Sequence, residues 1–307
     1  MSTETGADAP AAPAPAPRRR RGLLWIAVGA VVVVAVYVTV AVLYAISAAG
    51  STSTPISAAN PQAVVVLSPQ SMDAAGNRLT LSIDVQPGES LTGGGLFLTK
   101  PLTLLISDVD GPRTITFAAG QAPSVVSVKV ITSGLVEQWP FDRYAVSQMN
   151  IALAQTADDG TTLHTVPVSW QVSDRVPGWN VEFRGQPDST NDEVLVTDVA
   201  ASRSASTVAF AIVLITLMLV LPALALTVAI SAFRGRRKTE ATLLSWIGAM
   251  LFAIVPLRGF FPGSPPIGSW VDYLVVLWVV AGLIAALVVF VAAWMRWVPG
   301  AGERPVR

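Results

Sequence analysis

The sequence predicts a membrane protein of mixed α and β class. Four transmembrane helices are expected, with an extracytoplasmic, β-sandwich-like domain between helices one and two. Three observations carry this. Four long apolar runs alternate with basic clusters. Between the first two runs lies a long series of short, strand-like pieces bounded by turn residues. The 307 residues are 52% hydrophobic and 13% charged, with mean hydropathy +0.57, whereas soluble domains carry about 25% charged residues.

Residues 1–22 are rich in Ala and Pro and end in Arg18–Arg21. Such a segment buries no core and reads as a disordered cytoplasmic tail. Residues 23–49 are the first apolar run. A cleaved signal sequence has an apolar region of about 7–15 residues, and this run exceeds it, so a retained signal anchor is expected. Residues 50–61 form a Ser/Thr/Ala/Pro linker, and residues 62–203 the β-rich domain. The remaining spans are 207–233, 241–262 and 271–296, followed by a tail at 297–307. Crossing a bilayer takes about 20 apolar residues, which fits all four runs.

Lys and Arg in short flanking segments set orientation. Arg18–Arg21, the cluster Arg234, Arg236, Arg237 and Lys238, and the terminal Arg296, Arg304 and Arg307 share one side if four runs span. That side is then the cytoplasm, with both termini in it. Residues 50–206 then face outward across the plasma membrane. Trp246 and Trp294 fall at the inner interface and Tyr44 and Trp270 at the outer one, where amphipathic rings are favoured.

Within 62–203 the clearest strand is Arg78 to Val85, whose Leu79, Leu81, Ile83 and Val85 alternate with polar residues. Period two marks a strand with one buried face. Leu102 to Ser107, Arg113 to Phe117, Ser124 to Ile131, Tyr144 to Ala154, Thr161 to Val172, Trp179 to Phe183 and Glu193 to Val199 read similarly. Asp159-Gly160 is a hairpin signal, and Gly93-Gly94-Gly95 a turn, since no helix follows to cradle a phosphate. Many short strands at this spacing suggest a sandwich.

Composition excludes several chemistries. There is no cysteine and only one histidine, His164, so neither a thiolate nor a multi-histidine metal site exists within one chain. No nucleophile elbow, phosphate loop or dinucleotide fingerprint occurs. The protein is therefore not expected to be an enzyme, and no cofactor is expected. The β domain holds 8 Lys/Arg against 15 Asp/Glu, a net −7, which disfavours nucleic acid and anionic surfaces. Asp108, Asp110, Asp158 and Asp159 are calcium-type ligands by chemistry but lack a full ligand spacing. They sit where turns favour Asp anyway.

Candidate interaction residues cluster in Trp139, Pro140, Phe141, Asp142 and Tyr144. A structural role would bury two rings while Asp142 caps a turn; a functional one would aim the loop at a membrane or partner. Arg258 and Asp272 flank the loop between helices three and four. Either they anchor helix ends in the interface or they pair across the loop. The intervening Phe260–Ile267 is expected to pack beneath the β domain. On helix two, Pro222 interrupts the backbone ladder, and Thr216, Thr227 and Ser231 fall near one face. Such a stripe lines a pore or satisfies backbone carbonyls. Gly282 and Ala286 on helix four have small-residue packing spacing.

Trp139-Pro-Phe-Asp-Arg-Tyr144 and Phe261-Pro-Gly-Ser-Pro-Pro-Ile-Gly-Ser-Trp-Val-Asp-Tyr273, with the order of basic anchor, β domain and three helices, resemble an actinobacterial membrane-protein family, domain of unknown function 4436. The resemblance covers residues 23–297 and implies a cell-envelope location without a reaction. More distantly, Pro140-Phe-Asp142 and Pro222 are similar to features of pentameric ligand-gated channels. Those have four helices after the sandwich and none before it, so the likeness is architectural.

The leading expectation is a cell-envelope protein whose outer domain binds or scaffolds an envelope protein or component. Its other partner is the lipid bilayer. Nucleic acid is not a partner, and a homo-oligomer is compatible with the pattern. Two alternatives stand: an oligomeric channel or transport accessory, and an envelope enzyme using converging carboxylates.

Overall fold

The computed structural model describes residues 31, 34–45, 56–57, 60–173, 175–188, 191–236 and 240–297. The expected tail at 1–22, all but Trp297 of the tail at 297–307, and most of the 50–61 linker lie outside the described residues. The chain divides into two compact units, Met1–Val42 and Leu43–Arg307. Of the first apolar run, Val34–Ala45 is described as a helix, α1, so its full length as a span lies outside the described residues.

The strand domain contains β1 (Ile56–Ser57), β2 (Ala63–Asp73), β3 (Arg78–Pro87), β4 (Leu102–Ile106), β5 (Thr114–Phe117), β6 (Val126–Ile131) and β7 (Ser133–Gly134). It continues with β8 (Arg143–Thr156), β9 (Leu163–Thr165), β10 (Val168–Val172), β11 (Arg175–Val176), β12 (Trp179–Asp188) and β13 (Asn191–Arg203). One sheet has the order β1-β10-β2-β3-β6; the other runs β11-β12-β13-β8-β4-β5, with β7 and β9 also paired to β8. A single apolar core joins the sheets: Val65, Leu67, Leu81 and Ile83 from the first, and Leu104, Met149, Ile151 and Val199 from the second. This is a sandwich with strands contributing alternate residues inward.

Asp159-Gly160 closes the β8–β9 hairpin, with Gln155 opposite His164, and Gly160 takes φ +75°. His164 is exposed on this edge. Gly93 and Gly94 both take positive φ in a turn that ends the one-turn helix α2 (Glu89–Thr92).

Two strand expectations need correction. Thr161 to Val172 is two strands: Pro167 separates β9 from β10, and they join different sheets. Proline cannot donate to a ladder, so the chain crosses between sheets there. The reading also missed β2, whose Val64-Val65-Val66 run lacks visible alternation although only Val65 is fully buried. Similarly, Ile56–Ser57 pairs with β10, so the expected linker contributes to a sheet.

Three helices follow: α3 (Ala205–Phe233), α4 (Ala241–Gly259) and α5 (Leu277–Trp297), the last entered through a π-helical turn at Asp272–Val276. Ser204 caps α3 by accepting from the Thr207 N–H. By length and composition, Ala205–Phe233, Ala241–Gly259 and Asp272–Arg296 are long and apolar enough to cross a membrane. The third expected span, 241–262, is shorter than read: the helix stops at Gly259, and residues 260–263 turn.

Helices α3 and α5 pack along small residues. Ala211, Leu214, Met218, Ala225, Ala229 and Ala232 bury against Val279, Leu283, Ala286, Phe290 and Ala293. With the buried Pro222 included, these recur at three- and four-residue intervals, as in packed helix pairs. Pro222 is buried in the same seam, and a Cβ on Gly282 would lie 3.0 Å from its Cβ. The residue able to kink α3 is thus met by one with no side chain.

Candidate functional site at the sheet–helix junction

The register places one end of the sandwich at the helices. Arg143, the first residue of β8, pairs with Ser202 near the end of β13, and α3 begins two residues after Arg203. The β8–β9 hairpin lies at the opposite end. The loop before β8 carries a 3₁₀ turn, Val136–Gln138, and a cis Trp139–Pro140 bond.

Trp139 is fully buried, but in the helix core and not the sandwich core. Its indole N–H donates to the Pro262 carbonyl at 2.9 Å. Its ring lies 4.7 Å from Phe261, centroid to centroid, at 35°. The α4–α5 loop therefore packs under the strand domain, as its apolar sequence predicts. Pro140 is buried, and Phe141 remains 57% exposed. Of the two rings flanking Pro140, only Trp139 is sequestered.

Asp142 does not cap a turn, contrary to the structural role expected for it. Its carboxylate accepts from Arg203 Nε at 3.0 and 3.2 Å, from Arg203 Nη2 at 3.0 Å and from the Tyr144 hydroxyl at 3.1 Å. The side chains of Arg203 and Asp142 are 4% and 0% exposed. Burying either charge alone is costly, so the pair must form together. Arg203 also lies 4.1 Å over the Trp179 ring, a cation–π contact. Tyr144 meets the same Trp179 edge-on at 5.6 Å. Burial, then the adjacent Asp142 carboxylate, pushes the Tyr144 hydroxyl well above its ordinary pKa.

Two glycines make the packing feasible. A Cβ on Gly263 would stand 2.2 Å from Arg203 Nη1, and its φ is +75°. A Cβ on Gly134 would stand 2.3 Å from the Tyr144 ring. A small cleft of about 140 Å³ beside Arg203 and Gly263 also touches Ala74 and Ala75 of the β2–β3 turn.

Arg258 and Asp272 meet across the α4–α5 loop, through Nε and Nη2 at 3.1 and 2.9 Å. Arg258 donates further to the Pro265 and Pro266 carbonyls, and Asp272 accepts from the Gly268 N–H at 2.9 Å. The two side chains therefore close the loop on which Trp139 rests, a closer association than separate helix-end anchors.

The remaining candidates do not join this site. Thr216 donates to the Ile212 carbonyl, Thr227 to Leu224 and Ser231 to Thr227, at 2.8, 2.7 and 2.6 Å. Each hydroxyl serves its own helix, with Thr216 and Thr227 on an exposed face. Asp110 pairs with Arg78, Asp158 with Lys100, and Asp108 accepts from the Ser107 hydroxyl. Asp159 accepts from the Thr161 and Thr162 N–H groups and the Thr162 hydroxyl, which lower its pKa to about 2. These four aspartates occupy two turns, β4–β5 and β8–β9, two in each, and no metal-holding group of three or more acidic or His ligands occurs among the described residues.

Sequence reasoning missed Arg203 and Gly263. The available signal was indirect: an Asp in an apolar cluster demands a cationic partner, and Arg203 ends the last strand before a helix cap.

No curated protein matches the chain. Two family models do, and they abut at this junction. Residues 53–200 match a domain of unknown function, DUF4436, and residues 203–297 match a second, DUF8686. The resemblance seen over 23–297 thus resolves into two families, with Asp142 in one and Arg203 opening the other. The chain carries the DUF4436 domain over residues 53–200 and the DUF8686 domain over residues 203–297.

Proposed function

We propose that this is a multi-pass envelope membrane protein whose strand domain binds an envelope partner and passes its state to the helices. In this reading, α1 belongs to a fourth span, the termini are cytoplasmic and the strand domain is extracytoplasmic. It works by binding, without a catalytic step. The carrying observation is the buried Asp142–Arg203 pair beside the Trp139–Pro262 bond. A passive anchor needs only a tether. Here the loop, the last strand residue and the α4–α5 turn interlock, so a shift in one domain must be accommodated by the other.

The cysteine-free chain allows a direct test of topology. Single cysteines replace exposed Ser147 in the strand domain and exposed Arg236 in the α3–α4 turn. An impermeant maleimide added to intact cells is expected to label only Ser147→Cys. Labelling of Arg236→Cys alone would reverse the orientation and contradict the proposal.

A homo-oligomeric channel is the second reading. It is favoured by α4, where only Ile247 and Ile254 are buried while Phe252 and Val255 stay 80% and 76% exposed. Mass measurement in nanodiscs separates the two: a ring-sized oligomer supports the channel, and a monomer or dimer the binding protein.

A further inference from the structure

We propose that the groove beside the junction binds the headgroup of one anionic phospholipid, a site that rests on the membrane reading above. The groove has a volume of about 580 Å³, within the usual range for ligand sites. Its walls are the Phe141 loop, the start of β8, Glu182 and Arg184 within β12, the end of β13, and Val208 on the first turn of α3. It therefore opens where the apolar helix leaves the strand domain, the depth at which headgroups would lie.

Its charges select the ligand. Arg184 pairs with Glu182 at 2.7 Å, and Arg203 with Asp142 at 3.0 Å. Arg143 also lines the groove, is exposed, and has no ion pair among the described residues. The balance is one uncompensated guanidinium, which suits one phosphodiester. The start of α3 adds the positive end of a helix dipole. The strand domain as a whole is net −7, but distant surface charges are screened over about 8 Å at physiological salt, so the local sign governs. Phe141, 57% exposed, and half-buried Val208 supply apolar surface at the groove, as a ligand with acyl chains requires. A free phosphate would have no use for them.

The full chain is purified in detergent, offered equimolar phosphatidylglycerol and phosphatidylcholine, and its retained lipid weighed by native mass spectrometry. The expected result is about a tenfold preference for phosphatidylglycerol, equivalent to about 1.4 kcal/mol. Arg143→Ala should bring the ratio near one, Phe141→Ala should lower retention of both lipids, and Arg113→Ala, a strand-domain arginine outside the groove, should leave the ratio unchanged. Equal retention by the native chain, an unchanged ratio in Arg143→Ala, or displacement of the lipid by inorganic phosphate would overturn the proposal. Flotation with pure phosphatidylcholine liposomes separates the two failures. A chain that does not float contradicts the membrane reading, whereas one that floats without lipid preference contradicts this site alone.

Discussion

Arg203 forks over Asp142, contacting both carboxylate oxygens at 3.0–3.2 Å, with neither side chain more than 4% exposed. The two residues are 61 positions apart and belong to different family domains. Their pairing fixes the last strand to the loop that sits on the helices.

Asp142→Ala should destabilise the fold by about 3–5 kcal/mol, because it leaves a buried guanidinium without its counter-charge. Arg203→Met together with Asp142→Ala should recover part of that loss. Thermal melts in nanodiscs of the native chain, Asp142→Ala, Arg203→Met and the double variant check this. Additive losses in the double variant would show that the two side chains act independently.

Gly263→Ala should lower the melting temperature, since its Cβ would collide with Arg203 and its φ of +75° disfavours alanine. Gly259→Ala, whose Cβ would meet nothing within 4 Å, is the matched control and should melt like the native chain.

Trp139→Phe keeps an aromatic ring on Phe261 but removes the donor to Pro262, a loss of about 1 kcal/mol. Trp139→Ala should cost about 3–5 kcal/mol by emptying a fully buried site. Denaturant titration of both variants should reproduce that order.

Tyr144 ionises later in the folded chain than in the unfolded one. The unfolded state therefore loses this proton first as pH rises. The stability contributed by neutral Tyr144 is fully present below about pH 10 and declines above it. Tyr144→Phe should flatten that alkaline decline in a melting-temperature series.

Much of the architecture is legible locally. Leu79, Leu81, Ile83 and Val85 announce β3 because alternate burial is written residue by residue. The helices declare themselves by apolar length, and Gly282 by its small-residue spacing. The junction is less legible because its partners are distant in sequence. Asp142 is conspicuous, yet nothing near it names Arg203. Arg258 and Asp272 are both visible, but only the folded α4–α5 loop brings them together. β2 was hidden because three valines in a row resemble continuous burial, and only the register shows which one faces the core.

Hydrogen exchange across the 263–269 loop, in nanodiscs, tests the coupling most directly. Asp142→Asn alters a side chain whose hydrogen bonds stay within the strand domain, whereas the milder Trp139→Phe removes the bond to Pro262 directly. The coupled account predicts faster exchange at the Ser264, Gly268 and Ser269 amides in each variant. Unchanged exchange there, with loss of protection confined to the strands, would contradict it.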